Sequence, residues 1–338
     1  MLSLNRGRPI AKIIGGSKNG EIIHIYDPEE KCCDKCSAKC GIKSKYCCKK
    51  CPGEGGCLKA NKESEPDIKY TDIFDVIDED VIRRQKKKMN WNEMGTIRNA
   101  IQDRQMPSEP KMREIYSNTL RELIDKSKRE IYINDEGGIR VLPNQKPERI
   151  YAAGPSDSGK SHWCGCYIEE WVKEFPDRFI FLFSDVEKDA ALDKFKNLKR
   201  VKINEELLSK PLKSTDFPNG SLCIFDDIDS IQDEKILKAV ETLRDHLLRR
   251  ARHEGIYVIV SNHLITDYKK TRIILNEISA FTFFPKSGST HGIVYALKKY
   301  CGLNIAQVNK IFSLNSRWVT VYKNYPMYVV YNKGLYLL

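Results

Sequence analysis

The stretch Gly154-Pro-Ser-Asp-Ser-Gly-Lys-Ser161 restricts the fold of this chain more than any other. It has the pattern G-x-x-x-x-G-K-S and lies directly after a short apolar run, residues 149–153, and directly before a helical pattern, residues 160–174. Glycines in such a loop let successive backbone N–H groups curl around phosphate oxygens, and the loop opens a helix whose N-terminus favours anions. On this reading Gly154, Pro155, Ser156, Asp157, Ser158 and Gly159 cradle the phosphates of ATP. Lys160 neutralises the β and γ oxygens, and the Ser161 hydroxyl ligates Mg2+. The competing reading is a plain turn rich in Gly and Ser.

A phosphate loop of this kind needs a metal-holding carboxylate at the end of a neighbouring strand. The apolar run Leu222-Cys-Ile-Phe225 closes on two acids, Asp226 and Asp227. Asp226 fits the metal-holding role, and Asp227 is then placed to polarise an attacking water. A third buried run, 256–260, ends in Ser261-Asn262-His263. A polar side chain of this triplet, with Asn262 the candidate, either senses the γ-phosphate or orients water, or the triplet is an ordinary turn after a buried strand. The basic end of the preceding helix, including Arg252, is explained by favourable charge at a helix C-terminus. Arg252 and Arg272 are also the positional candidates for an arginine offered across a subunit interface.

Strands alternate with helices from residue 136 onwards: strands at 149–153, 179–183, 200–203, 221–225 and 256–260, helices at 160–174, 189–196 and 234–254. This alternation predicts βαβ crossovers and an α/β fold with a mostly parallel sheet. A strand at 280–284, helices at 290–301 and 304–313 and a hairpin, 318–322 with 327–331, complete a P-loop domain over 136–338.

The first 135 residues read differently. Residues 1–30 hold two β-rich runs around a Gly/Asn turn, the pattern of a hairpin. Residues 31–58 are Cys-rich: eight of the 12 cysteines lie between Cys32 and Cys57. Cys33-x2-Cys36 and Cys48-x2-Cys51 are able to offer four thiolates to one Zn2+; free thiols and disulfides are the competing readings. Residues 59–135 read as a polar linker followed by helical patterns, with a basic run at 83–88 that is either a charged helix face or a phosphate-binding patch, and a helix at 111–128 behind Pro110.

The formal net charge of +11 is compatible with a polyanionic partner without requiring one. No apolar run approaches the roughly 20 residues that cross a bilayer, and the first ten residues lack the apolar core of a signal peptide. Membrane insertion and secretion are therefore not expected.

The domain resembles the FtsK/HerA-like packaging ATPases of large DNA viruses, the poxvirus-type group. The likeness rests on Gly154 to Ser161, Phe225-Asp-Asp227, Arg252-His253 before the 256–260 run, Thr271-Arg-Ile-Ile-Leu-Asn276, Phe284-Pro-Lys-Ser-Gly288, Arg317-Trp-Val319 and Pro326-Met-Tyr-Val-Val330. It covers somewhat more than half of the chain and implies a RecA-like core. It also implies a homo-oligomeric ring, ATP hydrolysis with Mg2+, double-stranded DNA as the moved partner and capsid or portal proteins as docking partners. The implied location is host cytoplasm or a viral assembly site, with virion association. Many relatives carry Gln where this chain has Asn262-His263, and Asp-Glu where it has Asp226-Asp227. Two other functions fit the same motifs: a helicase-like or conjugation-type DNA pump, and a zinc-knuckle nucleic-acid-binding regulator with a nucleotide switch.

Overall fold

The computed structural model describes residues 1–4, 7–26, 90–102, 105–127, 129–133 and 136–338. Cys33, Cys36, Cys48, Cys51 and the basic run at 83–88 lie outside the described residues. The chain divides into two compact units. One comprises Met1–Pro9, Ile13–Gly138 and Lys333–Leu337, the other Ile10–Lys12, Ile139–Asn332 and Leu338.

In the first unit, β1 (Leu2–Ser3) pairs antiparallel with β3 (Ile22–Ile25). The strand β2 (Arg8–Ile14) turns back towards β3. Ile13 N–H donates to the Glu21 carbonyl at 2.9 Å and Gly20 N–H to the Ile13 carbonyl at 2.8 Å. Gly15, Gly16 and Gly20 adopt positive φ in this turn, which explains a glycine-rich sequence there. Helices α1 (Trp91–Gln102) and α2 (Pro110–Ser127) pack on each other. A reciprocal pair caps α1: Asn90 Oδ1 accepts from Glu93 N–H and Glu93 Oε2 accepts from Asn90 N–H. Proline at the first position of α2 loses no helical hydrogen bond, because the first N–H groups of a helix have no internal acceptor. A short β4 (Glu130–Tyr132) pairs antiparallel with β14 (Gly334–Leu337).

The second unit opens with the end of β5 (Gly138–Val141) and is built on a sheet of order β13-β12-β11-β6-β10-β9-β7-β8. Its strands are β6 (Arg149–Ala153), β7 (Ile180–Ser184), β8 (Leu198–Arg200), β9 (Leu222–Asp226), β10 (Tyr257–Asn262), β11 (Ala280–Phe283), β12 (Val319–Tyr322) and β13 (Tyr328–Tyr331). From β11 to β8 every neighbouring pair is parallel, and β12 and β13 close the sheet antiparallel. The central strands β9 and β10 are buried along their whole length, as expected where helices cover both faces of a parallel sheet.

Helix α3 (Lys160–Glu174) buries Trp163, Tyr167, Ile168 and Trp171, and Trp171 meets Phe175 and Tyr257 edge-on. The short α4 (Glu206–Ser209) was not legible in the sequence pattern. Helix α5 (Glu234–Glu254) starts at Asp233, whose Oδ1 accepts from Lys235 and Ile236 N–H, and stops at Gly255 with φ 70°. Helices α6 (Arg272–Glu277), α7 (Thr290–Tyr300) and α8 (Ile305–Ser313) complete the unit.

One expected element is absent. Residues 189–196 form turns and not a helix. Asp189 Oδ1 accepts from Ala191 N–H, and Asp193 Oδ2 accepts from Asp189 N–H, both at 2.7 Å. These aspartates satisfy the backbone locally, which competes with helical pairing. The neighbouring strand lies at 198–200 instead of 200–203.

Candidate active site

The strand order explains the site. β10 runs between β6, which leads into the phosphate loop, and β9, which carries the paired acids. The register sets Ala153 opposite Asn262 and Asp226 opposite Ser261, so three strand ends converge at one edge of the sheet. Ligand sites of open parallel sheets form at the carboxyl ends of strands for this topological reason.

The loop itself is tightly built. Gly154 N–H donates to the Asn262 carbonyl at 3.1 Å. A Cβ on Gly154 would stand 2.8 Å from the Phe284 ring and 2.8 Å from Ser158 Oγ, so only glycine fits there. Gly159 adopts φ 105° and Asp157 φ 60°, the left-handed region that lets consecutive amides face one centre. Lys160 is 6% exposed, and its Nζ donates to the carbonyls of Gly154 (3.0 Å) and Pro155 (3.4 Å). Ser161 sits half-buried in the first turn of α3.

The acids occupy different environments. Asp226 is 5% exposed, and burial pushes its carboxyl up to about 6, with Asp227 and Asp189 adding to the rise. Asp227 has φ 45°, unusual for a residue with a side chain, and is held by its N–H donating to the Ser261 carbonyl at 2.9 Å. Its Oδ2 lies 3.0 Å from His263 Nε2 and 3.9 Å from Lys160 Nζ. Burial raises its pKa, and Lys160 and His263 oppose the rise.

His263 thus joins the site from the end of β10, with Nδ1 3.2 Å from Lys160 Nζ. Asn262, the residue singled out in the sequence, is buried, and its Oδ1 accepts from Leu264 N–H at 3.4 Å. Arg317 was also not singled out: its Nε and Nη2 lie 3.8 and 3.9 Å from where a Cβ would sit on Gly159. It is exposed, and among the described residues no carboxylate pairs with it. The quoted motif Arg317-Trp-Val319 contained the signal, but only the return of β12 to the sheet reveals the neighbour.

Arg252 and Arg272 make no hydrogen bond or ion pair with this loop. Arg252 is exposed near the end of α5 and adds to the positive charge felt by Arg149 at the start of β6, the opposite edge of the sheet. Arg272 Nη1 donates to Tyr268 Oη at 3.0 Å.

Several buried oxygens here lack a hydrogen-bond partner among the described residues: Ser158 Oγ, Asp227 Oδ1 and both carboxylate oxygens of Asp229. Orphaned acceptors beside a glycine-rich loop and a lysine suit a bound polyphosphate with a divalent cation and its water shell. Among the described residues no three or more His, Cys, Asp or Glu side chains are gathered to hold a metal alone, and no helix is long and apolar enough to cross a membrane. The described cysteines, Cys164, Cys166, Cys223 and Cys301, are free thiols. The fold and loop are those of a P-loop NTPase core.

No family model matches the chain. Over 213 residues, which are 62% of this chain and 85% of the relative, it is 38% identical to an uncharacterised protein, V3, of the Sputnik virophage. The chain belongs to the V3 family. The name of that relative assigns it no role.

Solved structures that this chain resembles include two viral genome-packaging proteins and a conjugation coupling protein. B204 of Sulfolobus turreted icosahedral virus 2, in complex with sulfate, is 16% identical, with a TM-score of 0.36 over 54% of this chain and 96% of that one. B204 of Sulfolobus turreted icosahedral virus, the DNA-packaging ATPase, is 18% identical, with a TM-score of 0.41 over 56% and 98%. The pCW3 conjugation coupling protein TcpA is 12% identical, with a TM-score of 0.38 over 62% and 65%.

Proposed function

We propose that this member of the V3 family hydrolyses ATP to move double-stranded DNA, and that it packages a viral genome into a capsid at the site of assembly. The observation that carries the reading is the meeting of Lys160, Asp227 and His263 at the mouth of the phosphate loop, with Asp226 buried beside them. A nucleotide switch needs a phosphate loop and a metal carboxylate. A second acid aimed at the same centre is what hydrolysis adds.

The loop amides and Lys160 bind the phosphates, with Lys160 leaving the carbonyls of Gly154 and Pro155 for phosphate oxygens. Ser161 and Asp226 are the side chains that would hold Mg2+, which when bound neutralises charge on the β and γ oxygens. Asp227 orients a water for in-line attack on the γ-phosphorus and takes its proton as the bond to the β–γ bridging oxygen breaks. His263 holds Asp227 through Oδ2, leaving Oδ1 free for the water. Arg317 brings a further positive charge to the loop in cis. A finger role for Arg252 or Arg272 requires a second copy, as in a ring. Viral kinship through the virophage relative supports packaging over pumping elsewhere.

The test is steady-state phosphate release by the purified chain with and without duplex DNA, with Lys160→Ala as control. Duplex-stimulated turnover that the variant lacks supports the translocase. Nucleotide binding without turnover would instead favour the regulator and turn attention to the cysteine-rich segment.

A further inference from the structure

We propose that the loop following His263, residues 264–271, together with the C-terminal end of α7, grips the phosphodiester backbone of the duplex and connects it to the nucleotide. This rests on the translocase reading above and names the surface through which it would act.

Tyr268 is 73% exposed, yet it is held in place. The Arg272 guanidinium donates to its hydroxyl at 3.0 Å and lies 5.3 Å from its ring centroid. The loop beneath is locked by Asp267, whose Oδ1 accepts from Lys269 and Lys270 N–H, both at 2.8 Å. Asp267 N–H donates to Thr271 Oγ1, and the Thr271 hydroxyl donates back to the Asp267 carbonyl, each at 2.8 Å. The one acid of the loop is thus engaged with backbone amides. The side chains of Lys269, Lys270 and Arg272 are exposed, and among the described residues none of them reaches a carboxylate to form an ion pair, although Asp267 feels the charge of both lysines.

A second element extends the patch. On α7, Tyr295 is 44% exposed and packs edge-on to Tyr300, 6.1 Å between centroids. Tyr300 in turn feels the charge of Arg272 and the hydroxyl of Tyr268. Lys299 follows Tyr295 by one helical turn, and Lys298 stands next to it; both are exposed. Several exposed cations on an anchored loop and on the end of a helix, with phenol hydroxyls beside them, suit the repeated charges of a phosphodiester backbone better than a single anion.

The loop is also joined to the catalytic edge. Residues 264–267 alone separate His263, in contact with Asp227 and Lys160, from Tyr268. The Tyr151 hydroxyl donates to the Leu264 carbonyl. Ile265 fills the space over Gly288 and Gly292, where a Cβ would meet it at 3.0 and 3.6 Å. A shift of His263 as the γ-phosphate arrives or leaves would therefore be carried to the lysines by a short anchored segment.

The experiment measures binding of a labelled duplex of about 40 base pairs across a salt series, together with phosphate release, for wild type, Lys269→Ala/Lys270→Ala and Tyr268→Ala. The double variant is expected to keep basal turnover and its melting temperature, lose at least about tenfold in duplex affinity, and lower the log–log salt slope by about 2, one unit for each phosphate contact. Duplex stimulation falls with it, and Tyr268→Ala shows the same direction with a smaller change in salt slope. Duplex binding and salt slope unchanged in both variants would overturn the surface while leaving the translocase reading intact. Loss of self-association in their place would assign the patch to a neighbouring copy. A wild-type protein that neither binds duplex nor responds to it would overturn the translocase reading itself, and this surface with it.

Discussion

The two edges of the central sheet are built from the same strands and treat polar groups in opposite ways. At the starting edge, each named polar group has a partner. Arg149 N–H donates to Ser279 Oγ, its guanidinium reaches the Leu248 carbonyl and Glu277, Glu148 accepts from Tyr167 and Asn144, and Tyr257 Oη donates to the carbonyls of Asn144 and Gln145. At the finishing edge, Ser158, Asp227 and Asp229 keep buried oxygens unpartnered, two acids are pushed towards neutrality, and Asp157 and Asp227 sit at positive φ. The starting edge pairs its charged groups across strands and helices, with Trp171 Nε1 an exception among the described residues, whereas the finishing edge gathers open carboxylate oxygens and positive-φ residues for a ligand.

Changes at the finishing edge should therefore abolish chemistry with little loss of stability. Lys160→Ala gives the largest effect, a drop in ATP turnover on the order of a thousandfold, read as phosphate release, with the melting temperature unchanged or raised. Retained turnover would remove Lys160 from the chemistry. Asp227→Asn follows, with a fall of about a hundredfold or more in kcat while nucleotide affinity, measured with a fluorescent analogue, changes little. If affinity fell as far as kcat, Asp227 would be a binding residue.

Asp226 sharpens the contrast through pH. Its folded pKa of about 6 lies above that of an unfolded aspartate, so the folded state binds the extra proton. Stability from this group is present below pH ~4 and is lost as pH rises through about 6, by up to about 3 kcal/mol. In chelator, Asp226→Asn is expected to remove that slope and melt higher than wild type at pH 7.5. A variant that melts lower at that pH would mean that the interaction of the carboxylate with Ser261 outweighs the penalty of its burial.

Much of this edge was legible in the sequence because its signals are local. The glycines of the loop and the apolar runs before it and before Asp226 each follow from the φ or burial that a few consecutive residues demand. Residues 189–196 misled because periodicity does not register two aspartates closing turns on their own backbone. Arg317 escaped, and Asn262 was preferred to its neighbour His263, for another reason. The contacts of Arg317 and His263 are set by strand order, which brings β10 between β6 and β9 and returns β12 beside β11, and no single window contains both partners.

The starting edge supplies the smallest and most discriminating change. Arg149→Met keeps most of the apolar stem of the side chain but removes its bond to the Leu248 carbonyl, 3.1 Å, and its pair with Glu277, 3.4 Å. Leu248 is buried, but Arg149 and Glu277 are partly exposed to water, which limits the loss to about 1–2 kcal/mol. Burial and the nearby Arg252 charge already disfavour the guanidinium, which argues for the lower end of that range. Denaturant unfolding should show the loss, while kcat at saturating ATP stays within about twofold of wild type, because none of these groups touches the phosphate loop. A large fall in kcat at unchanged stability would mean that the two edges are coupled through β6 and that their division into scaffold and site does not hold.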